Sequence, residues 1–252
     1  TGSRLLATDE AARTALIAAL QGVQEASSLS STHILYPPEA EARLLADADF
    51  MLRKGVQFHW QNQGYDNFEQ FLATLEHKKR KNIRAERRKV AEAGIIMRQL
   101  PGKDAVEADW RFFKRCYDHT YRAHYSTPYL NLDFFLRIAQ SMPQNLLLVI
   151  AERDGRPIAS SLVVYDSNAL YGRYWGCIEH HPCLHFETAY YQPLEFCIEQ
   201  KIAAFEGGAQ GEQKMARGFL PQQQPHVCWR DARAIWNSRR WENRSPTRRS
   251  WK

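Results

Sequence analysis

Between Phe205 and Pro221 the chain reads FEGGAQGEQKMARGFLP, in which Glu206, Glu212, Lys214 and Arg217 alternate with Gly207, Gly208, Gly211 and Gly218. A surface loop has charge and a turn has glycine. Alternating the two this tightly suits a backbone that approaches a ligand closely while charged groups converge on it. The apolar run Leu194, Cys197, Ile198, Ile202 and Phe205 leads into the segment, so it begins where a packed element gives way to a loop.

Four other stretches carry chemistry. In LYGRYWG (Leu170–Gly176), strand alternation sends Arg173 to the face of Tyr171 and Trp175, beside Tyr174. A cation on an aromatic face suits a carboxylate or phosphate clamp, or a cation–π contact. HFETAYYQ offers His185 and Glu187 as proton-transfer groups beside Tyr190 and Tyr191. CIEHHPCLH holds Cys177, His180, His181, Cys183 and His185 in one nine-residue run. Structural zinc sites pair ligands from two supporting elements, so the run reads as a loop carrying one functional histidine, with no metal. HKKRKNIRAERRK, from His77 to Lys89, has eight Lys or Arg and one acid, Glu86. The run reads either as a solvated helix face or, since an anion would offset mutual repulsion along it, as a contact for a nucleotide, a coenzyme or RNA. No GxSxG elbow occurs, and no cysteine has an evident base partner in sequence, which argues against a nucleophilic triad.

The elements that must position these residues follow from pattern. Thr8 is placed to cap a helix with apolar Ala12, Leu16, Leu20 and Val23. A strand at 33–36, a helix at 39–48 behind Pro37-Pro38 and a strand at 56–60 follow. Asn67 with Gln70 opens one long helix that Gly94 stops. Ile95–Leu100 reads as a strand, then helices span 109–121 and 132–142. Leu146–Arg153, a turn at Asp154-Gly155, and Ile158–Tyr165 form a hairpin that a further turn extends into Ala169–Gly176. A last helix covers 191–204.

With 252 residues, 44% of them hydrophobic and 12% aromatic, the chain is globular and large enough for a real core. Its formal charge of +6 comes from residues 229–252, where eight basic residues face two acidic ones; the remainder balances. That tail reads as disordered. Five cysteines without a CxxC pair argue against a disulfide framework, and no run is long enough to span a bilayer. Together with the lack of a basic-then-apolar leader this gives a cytoplasmic expectation.

Taken together, QFHWQNQGYDNFEQFLATL, KKRKNIRAERRKV, LYGRYWG, LHFETAYYQ and FEGGAQGEQKMARGFLP resemble the FemAB-like branch of the GNAT-type N-acyltransferases, over roughly residues 1–230. The resemblance implies an α/β (α+β) fold in which a mixed, mainly antiparallel sheet is flanked by helices. It also implies a remnant of a first GNAT-like module at 1–60, a second at 61–230 and a tail at 231–252, as in an N-terminally truncated chain. The implied activity is transfer of an acyl or aminoacyl group to an amine, with a peptidoglycan precursor as acceptor and acyl-CoA or aminoacyl-tRNA as donor. On this reading Glu206 or Glu212 is the base, Lys214 and Arg217 balance the oxyanion or a phosphate, and Arg173 orients the substrate. His185, Glu187, Tyr174, Trp175, Tyr190, Tyr191 and Gln210 complete the matched positions, and Lys78–Lys89 offers a tRNA contact. The chain departs at Gln213, where the family's motif reads EHK, and it lacks the Gln/Arg-x-x-Gly-x-Gly/Ala loop of acetyl-CoA users, which favours an atypical donor. From another class, the alternative is a non-catalytic module that binds peptidoglycan precursors or RNA through the basic helix.

Overall fold

The computed structural model describes residues 3–208 and 211–230, apart from the side chains of Lys54, Glu212, Gln224, His226, Trp229 and Arg230. The tail expected after Asp231 lies outside the described residues. Two compact units divide the chain, one of residues up to Val56 with those from Gln223, the other Gln57–Gln222.

The first unit opens with α1 (Glu10–Ala26), capped by Asp9 rather than Thr8. Asp9 is extended at φ −151°, and its carboxylate accepts from the Ala12 N–H at 2.8 Å, while Thr8 bonds only to Asp9. Strand β1 (Ser31–Leu35) and helix α2 (Glu39–Asp47) follow. Ile17, Ile34, Leu45 and Phe50 form their shared core. The buried Glu41 accepts from the Ser3 hydroxyl and the backbone N–H groups of Arg4 and Leu5, which ties the leading segment to α2.

Strand β2 (Met51–Gln61) carries the chain into the second unit. There the long helix foreseen from Asn67 is two helices, α3 (Phe68–Ala73) and α4 (His77–Glu92). Glu76 is extended at ψ 146°, and Arg80 takes up the carbonyls of Ala73 and Leu75 that the break releases. Strand β3 (Ile95–Pro101), helices α5 (Glu107–Ala123) and α6 (Leu132–Ser141), and the meander β4 (Leu146–Arg153), β5 (Arg156–Tyr165) and β6 (Ala169–Cys177) come next. Asp154 and Gly155, at φ 51° and 70°, make the tight turn of the expected hairpin.

The last helix is displaced from its expected 191–204. Three continuous pieces run from Leu184 to Glu199: α7 (Leu184–Phe186), a π-helical turn (Glu187–Tyr191) and α8 (Gln192–Glu199). Part of the span read as helix and loop is a short strand, β7 (Ala204–Glu206), followed by a 3₁₀ helix (Glu212–Arg217) and β8 (Leu220–Arg230). Beyond Gln223, β8 lies antiparallel to β1, with Ile34 opposite Val227.

Within the second unit the strand order is β2-β7-β6-β5-β4-β3, antiparallel throughout except for the parallel pair β6–β7. β4 reads as an unbroken apolar run because both of its faces are covered. Leu147 and Val149 pack toward α3 and α8, while Leu146, Leu148 and Ile150 pack against Trp110, Phe113 and Phe135 of α5 and α6. Helix α5 lies so close on β6 that a Cβ at Gly176 would fall 2.1 Å from the Cys116 carbonyl oxygen.

Gly176→Ala is therefore expected to destabilise the protein by about 1–3 kcal/mol, as overpacking does. Gly22→Ala in α1, where nothing lies within 4 Å, should stabilise it by about 1 kcal/mol through helix propensity. Denaturant unfolding of the two variants checks both signs.

Candidate active site between two parting strands

Strands β6 and β7 run side by side for only three residue pairs, Ala169 with Ala204, Leu170 with Phe205 and Tyr171 with Glu206. Beyond that point they part, and a cavity of about 170 Å³ opens between them. Its walls include Arg173, Tyr174 and Trp175 on β6, His185 and Tyr190 on the helix, and Phe205 and Gly207 on the β7 side.

The β6 wall does not keep simple alternation. Leu162 pairs with Tyr174 but Val163 pairs with Gly172, so Arg173 is an extra residue in a bulge. The expectation that Arg173, Tyr171 and Trp175 share a face is thereby corrected: the extra residue sends Trp175 to the face opposite Tyr171. Trp175 lies against His185, with ring centroids 4.8 Å apart. Tyr174 turns to the other face, edge-on to Tyr117 and Phe135, with its hydroxyl 2.7 Å from that of Tyr129. Arg173 sits over the Tyr174 ring at 5.5 Å.

The helical wall is built around the π-helical turn, a local widening that re-aims side chains. The Thr188 carbonyl accepts from the Ser161 hydroxyl of β5 at 2.8 Å, which docks the turn on the sheet. His185 and Tyr190 then face the cavity, while Glu187 and Tyr191 turn toward α4. Burial, and the charges of Arg217 and Lys214 behind it, lower the His185 pKa from 6.5 to about 4, so its imidazole is neutral near pH 7.

The glycine-rich segment closes the base. Lys214 and Arg217 stand on the 3₁₀ helix and are 4% and 5% exposed. Lys214 donates to the Gly208 carbonyl at 3.4 Å, and burial lowers its pKa. Arg217 donates to both carboxylate oxygens of Glu86 at 2.8 and 2.9 Å, and its guanidinium lies 3.4 Å from the Phe186 ring centroid. Tyr191 also donates to Glu86. Gly218, at φ 83°, ends the helix where a Cβ would fall 2.8 Å from the Phe71 ring.

Of the residues singled out from sequence, Arg173, Tyr174, Trp175, His185 and Tyr190 line one cavity, and Lys214 and Arg217 act electrostatically on its histidine. Glu206 stands at the point where the strands part. Glu187 and Tyr191 do not line it: Glu187 is paired with Arg87 at 3.0 Å, and Gln192 donates to it at 2.8 Å. Gln210 and the Glu212 side chain lie outside the described residues. Sequence reading missed Glu86 and Arg87, although Glu86 carried a signal as the sole acid in a basic run. In the CIEHHPCLH loop, Glu179 holds His181 at 2.5 Å and Arg153 at 2.9 Å. Among the described residues no group of three or more His, Cys, Asp or Glu could hold a metal, and no helix is long and apolar enough to cross a membrane.

The FemAB-like family model, described as peptidoglycan biosynthesis/recognition, matches residues 1–236. The chain belongs to the FemAB-like family. Among solved structures this FemAB-like chain is similar to L-PGS from Bacillus licheniformis, at 12% identity and TM-score 0.61, covering 91% of this chain and 78% of that one. It is also similar to FemX, at 10% identity and TM-score 0.57, covering 90% and 78%. A tandem GNAT protein from the clavulanic acid biosynthesis pathway matches at 9% identity and TM-score 0.51, covering 89% and 71%. Comparison with curated proteins gives no match. The fold is thus GNAT-like, and family and fold together support an acyl- or aminoacyl-transferase.

Two outcomes follow from the geometry. Removing the partly exposed acid of the Arg217–Glu86 pair, as in Glu86→Gln, is expected to cost about 3 kcal/mol, because the Arg217 charge stays buried; denaturant midpoints measure it. His185, with its folded pKa below the unfolded 6.5, contributes stability that is full above about pH 6.5 and is lost as pH falls toward about 4. His185→Gln should flatten that acid limb in a stability–pH series, and ring NMR should show His185 still neutral at pH 6.

Proposed function

We propose that this protein transfers an acyl or aminoacyl group to an amine of a peptidoglycan precursor, in the cavity between β6 and β7. The observation that carries the reading is the parting of two parallel strands after Tyr171 and Glu206, in a chain of a family described by peptidoglycan biosynthesis/recognition. An opening of this kind leaves backbone groups of β6 unpaired by β7 and able to hold an extended donor.

In this reading the acceptor ammonium gives a proton to Glu206, with Glu212 as the second candidate base. The neutral amine attacks the thioester or ester carbonyl, and the C–N bond forms as the oxyanion develops. Lys214 supplies the positive charge that stabilises this oxyanion, in a buried setting where charge acts strongly. The intermediate collapses, the C–S or C–O bond breaks, and the second amine proton goes to the departing sulfur or oxygen. Neutral His185 is placed to relay that proton. Arg217, committed to Glu86, holds the 3₁₀ helix that carries Lys214. Glu187, bound to Arg87, fixes the π-helical turn. Arg173, Tyr174, Trp175 and Tyr190 shape the substrate walls, and Tyr191, bound to Glu86, steadies the helix behind them.

For the donor, acyl-CoA and aminoacyl-tRNA share a polyanionic body. Lys78, Lys81, Arg88 and Lys89 on α4 are exposed and have no carboxylate partner among the described residues, which suits either one. The test is incubation with acetyl-CoA or with aminoacyl-tRNA, each with a muropeptide precursor, read by mass spectrometry. The expected result is a mass gain on the acceptor amine with one donor, reduced about 100-fold or more in Lys214→Met. Binding of RNA with no transfer from either donor would overturn the reading.

A further inference from the structure

Four phenols meet on the face of the sheet covered by α5 and α6, away from the groups that carry the proposed transfer. Tyr117 and Tyr121, four residues apart on α5, have ring centroids 4.6 Å apart. Tyr174 of β6 stands edge-on to Tyr117 at 5.0 Å. Tyr129, from the segment between α5 and α6, lies 5.8 Å from Tyr121 and 6.4 Å from Tyr117. Tyr117 is 1% exposed and Tyr129 66%, so the cluster runs from core to surface.

The hydroxyls give the cluster a direction. The Tyr117 oxygen accepts from the Leu130 N–H at 3.3 Å, which steadies the segment carrying Tyr129. The hydroxyls of Tyr174 and Tyr129 are 2.7 Å apart. Burial, and then its bond to Tyr129, push the Tyr174 phenol up to about 12. Bonding to Tyr174, and then to Tyr121, lowers the phenol of Tyr129. Those opposite directions make Tyr174 the donor and Tyr129 the acceptor. The Tyr129 proton is then directed away from the cluster, and its O–H donates more strongly for the bond its oxygen accepts.

Arg173 completes the arrangement. It is exposed on the β6 bulge, over the Tyr174 ring, and has no carboxylate partner among the described residues. Tyr129 stands near enough for the Arg173 charge to lower its phenol. Among the described residues Arg173 is the one cation acting on Tyr129 and Tyr174. One guanidinium beside one phenolic donor matches the single charge and two oxygens of a carboxylate. A phosphate carries nearly two charges at neutral pH and asks for more cations than this.

We infer that Arg173 and Tyr129 clamp a carboxylate of the acceptor, so that the amine to be acylated belongs to an amino acid or to a peptide stem with a free carboxylate. This rests on the reading that transfer takes place at the β6–β7 opening. Arg173 and Tyr174 line the cavity there. Tyr117 and Tyr174 pack with α5 and α6, whereas α4 packs on the opposite face of the sheet through Ile83. A donor body held by α4 and a carboxylate held by Arg173 therefore reach the opening from opposite faces. Acyl carbonyl and amine meet between the strands, and no bond is made or broken at the clamp. Tyr174 acts through Tyr129 and is a positioning residue.

The experiment separates binding from transfer. Calorimetry on the full chain, without donor, uses a muropeptide with free carboxylates, the same muropeptide with its carboxylates amidated, and free lysine. The acid is expected to bind about 100-fold more tightly than the amide, as hydrogen bonds to a charged group are worth. That preference should vanish in Arg173→Gln. In Tyr129→Phe, which keeps the exposed ring, it should weaken by a factor of about ten, with melting temperatures checking that both variants fold. Acid and amide bound alike, or a preference that survives in Arg173→Gln, would overturn the clamp. So would inorganic phosphate displacing the muropeptide at equal concentration, since a phosphate would then occupy the site. Lysine bound as tightly as the muropeptide assigns the clamp to an amino acid, and weaker binding assigns it to the stem; either supports it. A carboxylate preference with no transfer from either donor would remove the proposed function and leave the clamp standing. Transfer to the amidated acceptor at unchanged KM would do the reverse.

Discussion

The ion pair between Arg217 and Glu86 is the constraint on which the candidate site rests. It joins elements more than a hundred residues apart in sequence, the 3₁₀ helix after β7 and the basic helix α4. Tyr191 donates to the same carboxylate, so the helix bearing His185 is tied in as well. With its guanidinium against Phe186 and both oxygens of Glu86 engaged, Arg217 has one arrangement available. Such a pair adds little net stability over an apolar substitute; what it contributes is a unique geometry. Lys214, three residues earlier on the same 3₁₀ turn, inherits that geometry.

A second constraint comes from the sheet. Parallel strands need a long crossover, and here the crossover from β6 to β7 is the helix that walls the cavity. Pairing of three residues anchors the strands, and the bulge at Arg173 turns β6 away just where pairing ends. The π-helical turn then adjusts the wall by one residue, so that His185 and Tyr190 face inward while Glu187 and Tyr191 reach α4. The opening, the bulge and the π turn are three local departures from regular structure at one place. Departures of this kind concentrate where a protein handles a ligand.

The antiparallel meander was legible because β4 to β6 announce themselves by apolar runs and an Asp-Gly turn. The glycine-rich segment stood out from its density of charge, and two of those charges, Lys214 and Arg217, are buried. What sequence could not give was pairing across distance. Glu86 looked like an interruption in a basic run and is the partner of Arg217. Arg87 looked like one more exposed cation, yet it binds Glu187 and Glu195. β7 escaped notice because three residues are too few for a periodic signal. Alternation also failed at Arg173, because a bulge inserts one residue without any composition change. The break between α3 and α4 depends on Arg80 reaching back to Ala73 and Leu75, which no local propensity records.

Pinning by Glu86, parting of β6 from β7 and the buried charge of Lys214 converge on one claim, that the donor's acyl carbonyl is received between the two strands. A crystal structure with a hydrolysis-resistant donor analogue, in which the reacting ester or thioester is replaced by a stable linkage, tests it most directly. The account predicts acyl density in the β6–β7 opening, beside Trp175 and His185 and within hydrogen-bonding reach of the Lys214 ammonium. An analogue bound along α4 with the opening left empty would contradict it.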